Sequence, residues 1–450
     1  MRDVRDTICA QATPPGEGGI AIVRMSGREA ARILSEVFRP ARGTIRPRVL
    51  TYGWVTDGET KIDEAMAVLL PGPRSYTRED VAEIHCHGSR AAVARILRLL
   101  IARGARPAEP GEFTYRAFVG GRIDLSQAEG IMRMIRADSD RAMRGAVRQM
   151  EGGVSSFIRA AREEIEDMLS ALAAAIDFPD EVDETETADS LTERCLALEK
   201  RLAEACDPRE GRIEEEGLRV ALCGQPNAGK SSLLNALLGE DRAIVTAVPG
   251  TTRDVLSEKV SIGGLPVVLT DTAGLRETGD EVEALGVARA EKALREADVR
   301  LLVLDGSQPL PETAEALFEK VRPDAAVISK GDLPRAEWTA RAKEILPDIP
   351  VVEVSSKTGE GLSALADTLR TFAPEGTDGG AAIIQMRHVA AAQKACRSLS
   401  EARKALSDGF GTETAGIDLS AALDALGEIT GETMNEAVID RVFSKFCVGK

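Results

Sequence analysis

Residues 218–238 read Leu-Arg-Val-Ala-Leu-Cys-Gly-Gln-Pro-Asn-Ala-Gly-Lys-Ser-Ser-Leu-Leu-Asn-Ala-Leu-Leu. The apolar run Leu218–Cys223 predicts a buried strand and Ser231–Leu238 a helix. Between them, Gly224-x-x-x-x-Gly229-Lys230-Ser231 has the spacing of a phosphate-binding loop. Glycines let backbone N–H groups close around phosphates, and the helix amino terminus adds roughly half a positive charge. Lys230 would reach the β- and γ-phosphates and the Ser231 hydroxyl would hold Mg²⁺, with Asn227, Ala228, Gly229 and Ser232 completing the loop.

Further signals follow in order. The runs Val255–Ile262 and Pro266–Asp271 are strand-like and joined by Gly263-Gly264, a hairpin signal. Asp271-Thr272-Ala273-Gly274 ends the second run, as an aspartate serving the metal and a glycine sensing the γ-phosphate should. Thr251-Thr252 lies in the intervening Gly/Pro loop, where Thr252 would close the Mg²⁺ shell. Strands expected at Val299–Asp305, Ala325–Lys330 and Pro350–Ser355 alternate with helices at Glu283–Ala297, Pro311–Val321 and Leu362–Phe372. That alternation implies a mainly parallel sheet covered by helices on both faces. Ser329-Lys330-Gly331-Asp332 and Ser355-Ser356-Lys357 sit at strand ends. An aspartate such as Asp332 can accept both N1–H and the exocyclic amine of guanine, which adenine does not offer together. The usual first residue of that base-reading motif is Asn, and here it is Ser329, which predicts modest affinity and fast exchange.

Ras-like GTPases place a water-positioning glutamine after Asp-x-x-Gly, whereas this chain has Leu275. Either an activator is needed or other groups act: Arg276, Glu277 and Glu283 are near, although Asp280, Glu281 and Glu283 also read as a dipole-favoured helix start. Asn227, with backbone oxygens of Thr246 and Val248, is a candidate ligand set for a monovalent cation standing in for an arginine finger.

At 450 residues the chain predicts several domains. With 73 acidic against 57 basic residues and a net charge of −16, binding of nucleic acid by bulk charge is excluded, though a local basic face is not. The seven scattered cysteines contain no Cys-x-x-Cys pair and fit reduced thiols. The charged start, Met-Arg-Asp-Val-Arg-Asp, and the lack of a long apolar run predict a cytoplasmic protein. Residues 1–120 mix strand-like runs (Gly19–Met25, Ala65–Leu70, Val81–His85) with a helix at Ser89–Ala102, a small α/β domain. Residues 126–207 and 385–446 are helical in texture and are read as one domain interrupted by the nucleotide domain. Arg133, Arg136, Arg144 and Arg148 fall on one arc of a predicted helix, a solvated face or a phosphate contact. His85-Cys86-His87 lacks a fourth ligand and is read as strand, not metal site.

The runs 224–238, Ile244–Asp254 and Asp271–Glu277 resemble the MnmE (TrmE) family of tRNA-modification GTPases, and the resemblance extends to Asp6–Gly27, Pro110–Thr114 and the tail Phe443–Lys450. The fold it implies is a multidomain α/β and all-α protein. Residues 1–120 would form an amino-terminal α/β folate-binding and dimerisation domain, 121–213 and 376–450 a discontinuous helical domain, and 214–375 an inserted Ras-like P-loop G domain. It implies a potassium-dependent GTPase whose G domains pair across their nucleotide faces. Potassium ligands would come from Asn227, Thr246, Val248 and Thr251, and Glu283 would orient the attacking water. Ala247, Pro249 and Gly250 would join the GTP-binding set. The family works as a homodimer with the FAD-carrying flavoprotein MnmG, in a heterotetramer or larger complex. It acts on tRNA, with no membrane or DNA partner, and draws a one-carbon unit from tetrahydrofolate in its 5-formyl or 5,10-methylene form. Arg24, Glu83, Arg122 and Lys450 match folate-contacting positions, with Arg122 standing where relatives often have lysine. In Ser75–Asp80, Arg78 stands where relatives usually have glycine; Cys447 is assigned an accessory role. A ribosome-assembly or other regulatory RNA-binding GTPase is the alternative, and a folate-dependent transferase regulated by its G domain is a third.

Overall fold

A computed structural model describes residues 5–137, 139–178, 184–240, 257–271, 292–310, 314–374, 383–407 and 412–450. The chain divides into two compact units: Met1–Ile135 with Arg148–Leu198 and Lys394–Lys450, and Arg136–Val147 with Glu199–Gln393. Among the described residues, no helix is long and apolar enough to cross a membrane.

The first unit is organised by a seven-stranded sheet: β1 (Ile8–Gln11), β2 (Gly18–Ser26), β3 (Phe38–Pro40), β4 (Thr51–Asp57), β5 (Thr60–Leu70), β6 (Val81–Gly88) and β7 (Arg106–Pro107), in the order β3-β4-β5-β6-β2-β1-β7. Alternation along β2 and β6 sends Ala21, Val23, Met25, Ala82, Ile84 and Cys86 into the core with residues of helices Ala30–Val37 and Arg90–Ala102. The intervening residues, Arg24, Glu83 and His85 among them, take the opposite face. Ser89 caps the helix Arg90–Ala102 by accepting from Ala92 N. Sequence texture gave the central strands but passed over β1, β4 and the helices Ala30–Val37 and Glu112–Val119. In the same unit the long helix Gly153–Asp177 packs on Thr412–Thr430, where Gly416 lies against Leu172.

One expectation is corrected. Arg133 and Arg136 close the helix Leu125–Arg136, whereas Arg144 and Arg148 belong to a separate helix, Asp140–Met150. Because the four belong to two helices and not to one, helical spacing does not put them on one arc. Arg133 is also engaged, donating to Gln149 Oε1 at 2.6 Å.

The second unit carries a six-stranded sheet of β8 (Leu218–Cys223), β9 (Ser257–Ile262), β10 (Leu265–Asp271), β11 (Val299–Asp305), β12 (Ala325–Ser329) and β13 (Val351–Glu353). The order is β13-β12-β11-β8-β10-β9, parallel throughout except for the β9–β10 hairpin. Gly263 and Gly264 turn that hairpin at φ 55° and 81°, which glycine adopts without a Cβ penalty. Successive residues of β8 feed opposite cores: Val220 and Leu222 join Leu233, Val267 and Leu365, while Ala221 and Cys223 join Leu302, Leu304 and Ala326. Burial on both faces explains why these strands read as unbroken apolar runs.

Candidate functional site

The nucleotide site grows from the end of β8. Its loop turns through three left-handed or glycine-favoured conformations, Gly224 at φ 142°, Asn227 at 63° and Gly229 at 94°. Asn tolerates such a φ better than most side chains, so Asn227 has a conformational reason to be there. The loop leads into the helix Lys230–Glu240. Lys230 is only 4% exposed, and its ammonium donates to the carbonyls of Gly224 at 2.9 Å and Gln225 at 2.6 Å. The long side chain thus lies back over its own loop, beside exposed Ser231 and Ser232 at the helix start.

The ends of β12 and β13 close the other side. Gly331 N donates to Val354 O at 3.2 Å, and the Ser355 hydroxyl donates to Asp332 Oδ1 at 2.9 Å. Ser355 is held in turn: its nitrogen donates to Glu360 O at 2.9 Å and its hydroxyl accepts from Thr358 N at 3.2 Å. Ser356 and exposed Lys357 follow on the same loop. Lys330, at φ 58°, pairs with Asp305 Oδ2 at 2.6 Å. Burial raises the Asp305 carboxyl, but hydrogen bonds from Lys330 and Ser307 outweigh it and hold the group below its ordinary range. Asp305 escaped the sequence reading, although its place at the end of β11, beside the base-reading strand, was the available signal.

Asp271 ends β10, paired in register with Leu222 of β8. The expectations for Thr246, Ala247, Val248, Pro249, Gly250, Thr251, Thr252, Thr272, Ala273, Gly274, Leu275, Arg276, Glu277 and Glu283 lie outside the described residues.

In the first unit, Arg24 on β2 and Glu83 on β6 are cross-strand partners, joined Nε to Oε1 at 2.8 Å. Glu83 Oε2 also meets His85 Nε2 at 3.2 Å. Two guanidinium groups lie over the Tyr76 ring, Arg24 at 5.6 Å and Arg122 at 4.7 Å from its centre. Arg122 is fixed by its own bond to Tyr76 O at 3.1 Å. The carboxy-terminal tail reaches the same place: Gly449 O accepts from Arg24 at 3.5 Å, and Cys447 O accepts from Gly111 N at 3.3 Å. Lys450, half-buried, is the next residue after that carbonyl. Two of the four residues expected to contact folate, Arg24 and Arg122, therefore lie against one aromatic ring, that of Tyr76, which sequence reasoning did not single out, and Glu83 joins them through Arg24. Arg78, beside it, takes φ 64° and donates to Gly120 O at 2.9 Å, a left-handed position that glycine fills without cost. Exposed Cys447 differs from buried Cys9 and Cys86, whose thiols burial pushes up to about 11. His87 is paired with Asp63 at 2.8 Å, so each histidine of the His-Cys-His run has a carboxylate partner.

The same unit holds a charge cluster unforeseen from sequence. Arg116 bonds Asp6 at 2.6 Å, Glu112 at 3.1 Å and Glu79 at 3.2 Å, and Arg106 bonds Asp6 and Glu112, each at 2.6 Å. It ties β7 and the helix Glu112–Val119 to the chain start.

A strand, a glycine-rich loop with its buried lysine, a helix, and two further strand ends bearing Lys330-Gly331-Asp332 and Ser355 define a P-loop protein of the guanine-nucleotide-binding class. Two family models match the chain, the MnmE helical domain over residues 125–447 and the GTP-binding protein TrmE N-terminus over residues 7–122. The chain belongs to the MnmE family. It is 46% identical to a protein of Symbiobacterium thermophilum over 99% of both chains. Identity is 45% to one of Chloroflexus aurantiacus, covering 99% of this chain and 100% of that one. A third, from Levilactobacillus brevis, is 41% identical over 99% of this chain and 98% of its own. Each of the three is named tRNA modification GTPase MnmE.

Proposed function

We propose that the protein is a GTPase of tRNA modification, its hydrolysis dependent on potassium. With the flavoprotein MnmG, which carries FAD, it installs a carboxymethylaminomethyl group on carbon-5 of the tRNA wobble uridine, taking the one-carbon unit from a tetrahydrofolate derivative. The observation that carries this reading is the convergence of the Lys230 loop with the Asp332–Ser355 strand ends in a chain similar along its whole length to proteins of that name.

On this reading residues 1–120 form the folate domain, 121–213 with 376–450 the helical domain, and 214–375 the G domain. Lys230 holds the β- and γ-phosphates, Asp332 reads guanine with Lys330 beside the base, and Ser231 with Thr252 holds Mg²⁺. Asn227, whose side chain is exposed at the loop, supplies a potassium ligand with Thr246, Val248 and Thr251. Glu283 orients the attacking water. The donor set near Tyr76 suits a folate: Glu83 for the pterin's N–H donors, and Arg24, Arg122 and Lys450 for its anionic tail, with the Tyr76 ring holding the Arg24 and Arg122 guanidiniums in place. The protein works as a cytoplasmic homodimer.

Nucleoside analysis of tRNA from cells lacking the gene tests the function; an intact wobble modification sinks it. Hydrolysis compared in potassium and in sodium tests the mechanism, and equal rates remove Asn227 from its role. Glu283→Ala should slow hydrolysis while sparing nucleotide binding; collapse of binding would make Glu283 structural.

A further inference from the structure

The basic face that helical spacing did not supply lies on three loops of the first unit. The run Arg39–Thr56 holds four arginines and no acidic residue, in a chain whose net charge is −16. Two of the four, Arg46 and Arg48, stand on the loop from β3 to β4. Arg48 crosses to the loop from β5 to β6, donating to Pro71 O at 3.2 Å and Arg74 O at 2.6 Å, which sets Arg74 beside it. That second loop also carries Arg78, which donates to Gly120 O at 2.9 Å, and Tyr76, whose carbonyl accepts from Arg122 at 3.1 Å. Arg46, Arg48, Arg74, Arg78 and Arg122 are all exposed. Where they bond within the chain they bond to carbonyl oxygens, and among the described residues none of them is ion-paired. The acidic neighbours are occupied elsewhere. Glu79 accepts from Ser26 Oγ at 2.7 Å and from Arg116 at 3.2 Å, Asp80 from Gly72 N at 2.9 Å, and Asp124 from Gln127 N at 2.9 Å.

We infer that these three loops bind the sugar–phosphate backbone of an RNA strand. The inference rests on the tRNA-modification reading above and names a surface where that substrate lies. A guanidinium keeps its charge at any working pH and its planar fork matches a phosphate, so unpaired arginines are suited to that ligand. Cross-loop bonds hold Arg48, Arg78 and Arg122 in place before the strand arrives, which lowers the ordering cost of binding. Contacts of this kind fix where the strand lies without reading its sequence. Arg122 belongs both to this surface and to the face proposed for folate, 4.7 Å from the Tyr76 ring centre. A strand held on the loops therefore brings its bases beside the proposed one-carbon donor.

The test is filter binding of the full chain to an unmodified tRNA transcript across a range of KCl concentrations. Arg46→Gln and Arg74→Gln are combined, because these two side chains bond to nothing else among the described residues. Each phosphate contact contributes about −0.7 to −0.9 to the slope of log K against log salt. The double variant should therefore have a slope shallower by about 1.4–1.8 and bind at least about tenfold more weakly near about 0.1 M KCl. Arg46→Lys with Arg74→Lys should keep the slope, and GTP hydrolysis without RNA should stay at the wild-type rate in both double variants. Arg78→Gly, which the backbone accepts at φ 64°, should flatten the slope by about 0.7–0.9 on its own. Unchanged affinity and slope in the glutamine double variant overturn the inference. So does weaker binding with an unchanged slope, since the lost contacts would not be with phosphate. A glutamine double variant that keeps tRNA but loses adhesion to phosphatidylserine vesicles assigns the surface to a membrane and also overturns it. Intact wobble modification in cells lacking the gene defeats the reading on which the inference rests. Lost modification there, with tRNA binding unaltered in the glutamine double variant, defeats this inference alone.

Discussion

Replacing Gly224 with alanine tests whether the loop after β8 has the geometry on which the nucleotide site depends. Two separate costs follow from the structure. At φ 142° a residue with a Cβ sits in a region used almost solely by glycine, at about 1–3 kcal/mol. The new methyl would also press well inside contact distance of the Val303 carbonyl, which belongs to central strand β11 and cannot yield. Overpacking of that kind costs about 1–3 kcal/mol more, for a total of about 2–6 kcal/mol. The cost must appear in one of two places. If the loop keeps its shape, the strain lowers stability; if the loop relaxes, Gly224 O and Gln225 O leave Lys230 and nucleotide binding weakens. Urea denaturation and fluorescent-GDP titration on the same variant capture both, and the summed losses should reach at least about 2 kcal/mol, equivalent to some thirtyfold in affinity. A Gly224→Ala protein within twofold of wild type in affinity and unchanged in stability would refute the loop geometry. Gly229→Ala offers a milder comparison, because its methyl would meet the Ser329 hydroxyl at 3.3 Å, not a backbone carbonyl in the sheet.

Arg116→Met should destabilise the first unit by about 3–5 kcal/mol in denaturant melts, since Glu112, like Arg116, is only 1% exposed at its side chain and would lose one of its two cationic partners. For Asp6 and Glu112, burial pushes the carboxyl up, but hydrogen bonds from Arg106 and Arg116, joined at Glu112 by Glu109 N, outweigh it and hold both below the ordinary range. A depressed folded-state pKa gives stability that is full above the unfolded value, about pH 4, and is lost as pH falls through the folded one. Melting temperature should therefore drop on acidification below about pH 4, and Glu112→Gln, less stable at neutral pH, should show a shallower acid limb; parallel curves would exclude Glu112 as a source. Arg24→Ala should weaken binding of a reduced folate by about ten- to a hundredfold, the loss of one or two charge-assisted hydrogen bonds, while GTP hydrolysis in potassium stays at the wild-type rate; unchanged folate affinity would remove the ring around Tyr76 from that role.

The nucleotide half of the fold was legible because its chemistry writes itself into contiguous residues. Strands Leu218–Cys223 and Val299–Asp305 have the bounds their apolar runs predict, and Gly263-Gly264 turns where a hairpin pair should. The amino-terminal sheet was harder. Strand β1 has four residues, and its place is decided by β2 and β7 on either side and not by its own pattern. The helix Glu112–Val119 starts from Gly111 in a left-handed turn after Pro110, with no capping side chain to announce it. The four positions expected to contact folate were named singly from family resemblance, which says nothing of how they assemble: Arg24 and Glu83 stand 59 residues apart and meet only through the β2–β6 register. The arginine arc failed for the complementary reason, since periodicity carries no information across a break between helices.

Side chains at the nucleotide face are largely engaged with one another: Ser329 with Ala228, Lys330 with Asp305, Asp332 with Ser355. That raises the question of whether Asp332 has capacity left for a base. An ionised carboxylate offers about four lone-pair directions over two oxygens, and Ser355 uses one, on Oδ1. Two donors from guanine can be accepted with the serine still bound, so Ser355 orients the reader without competing with its ligand. Asparagine at 332 would keep one carbonyl oxygen and add an NH₂, setting a donor against one of the guanine donors and leaving that pair unmatched. On the proposed reading, the selectivity of this face for guanine would rest on the acceptor-only character of Asp332. The hydrogen bonds behind it, from Thr358 N to Ser355 and from Ser355 to the carboxylate, fix the direction in which those acceptors point.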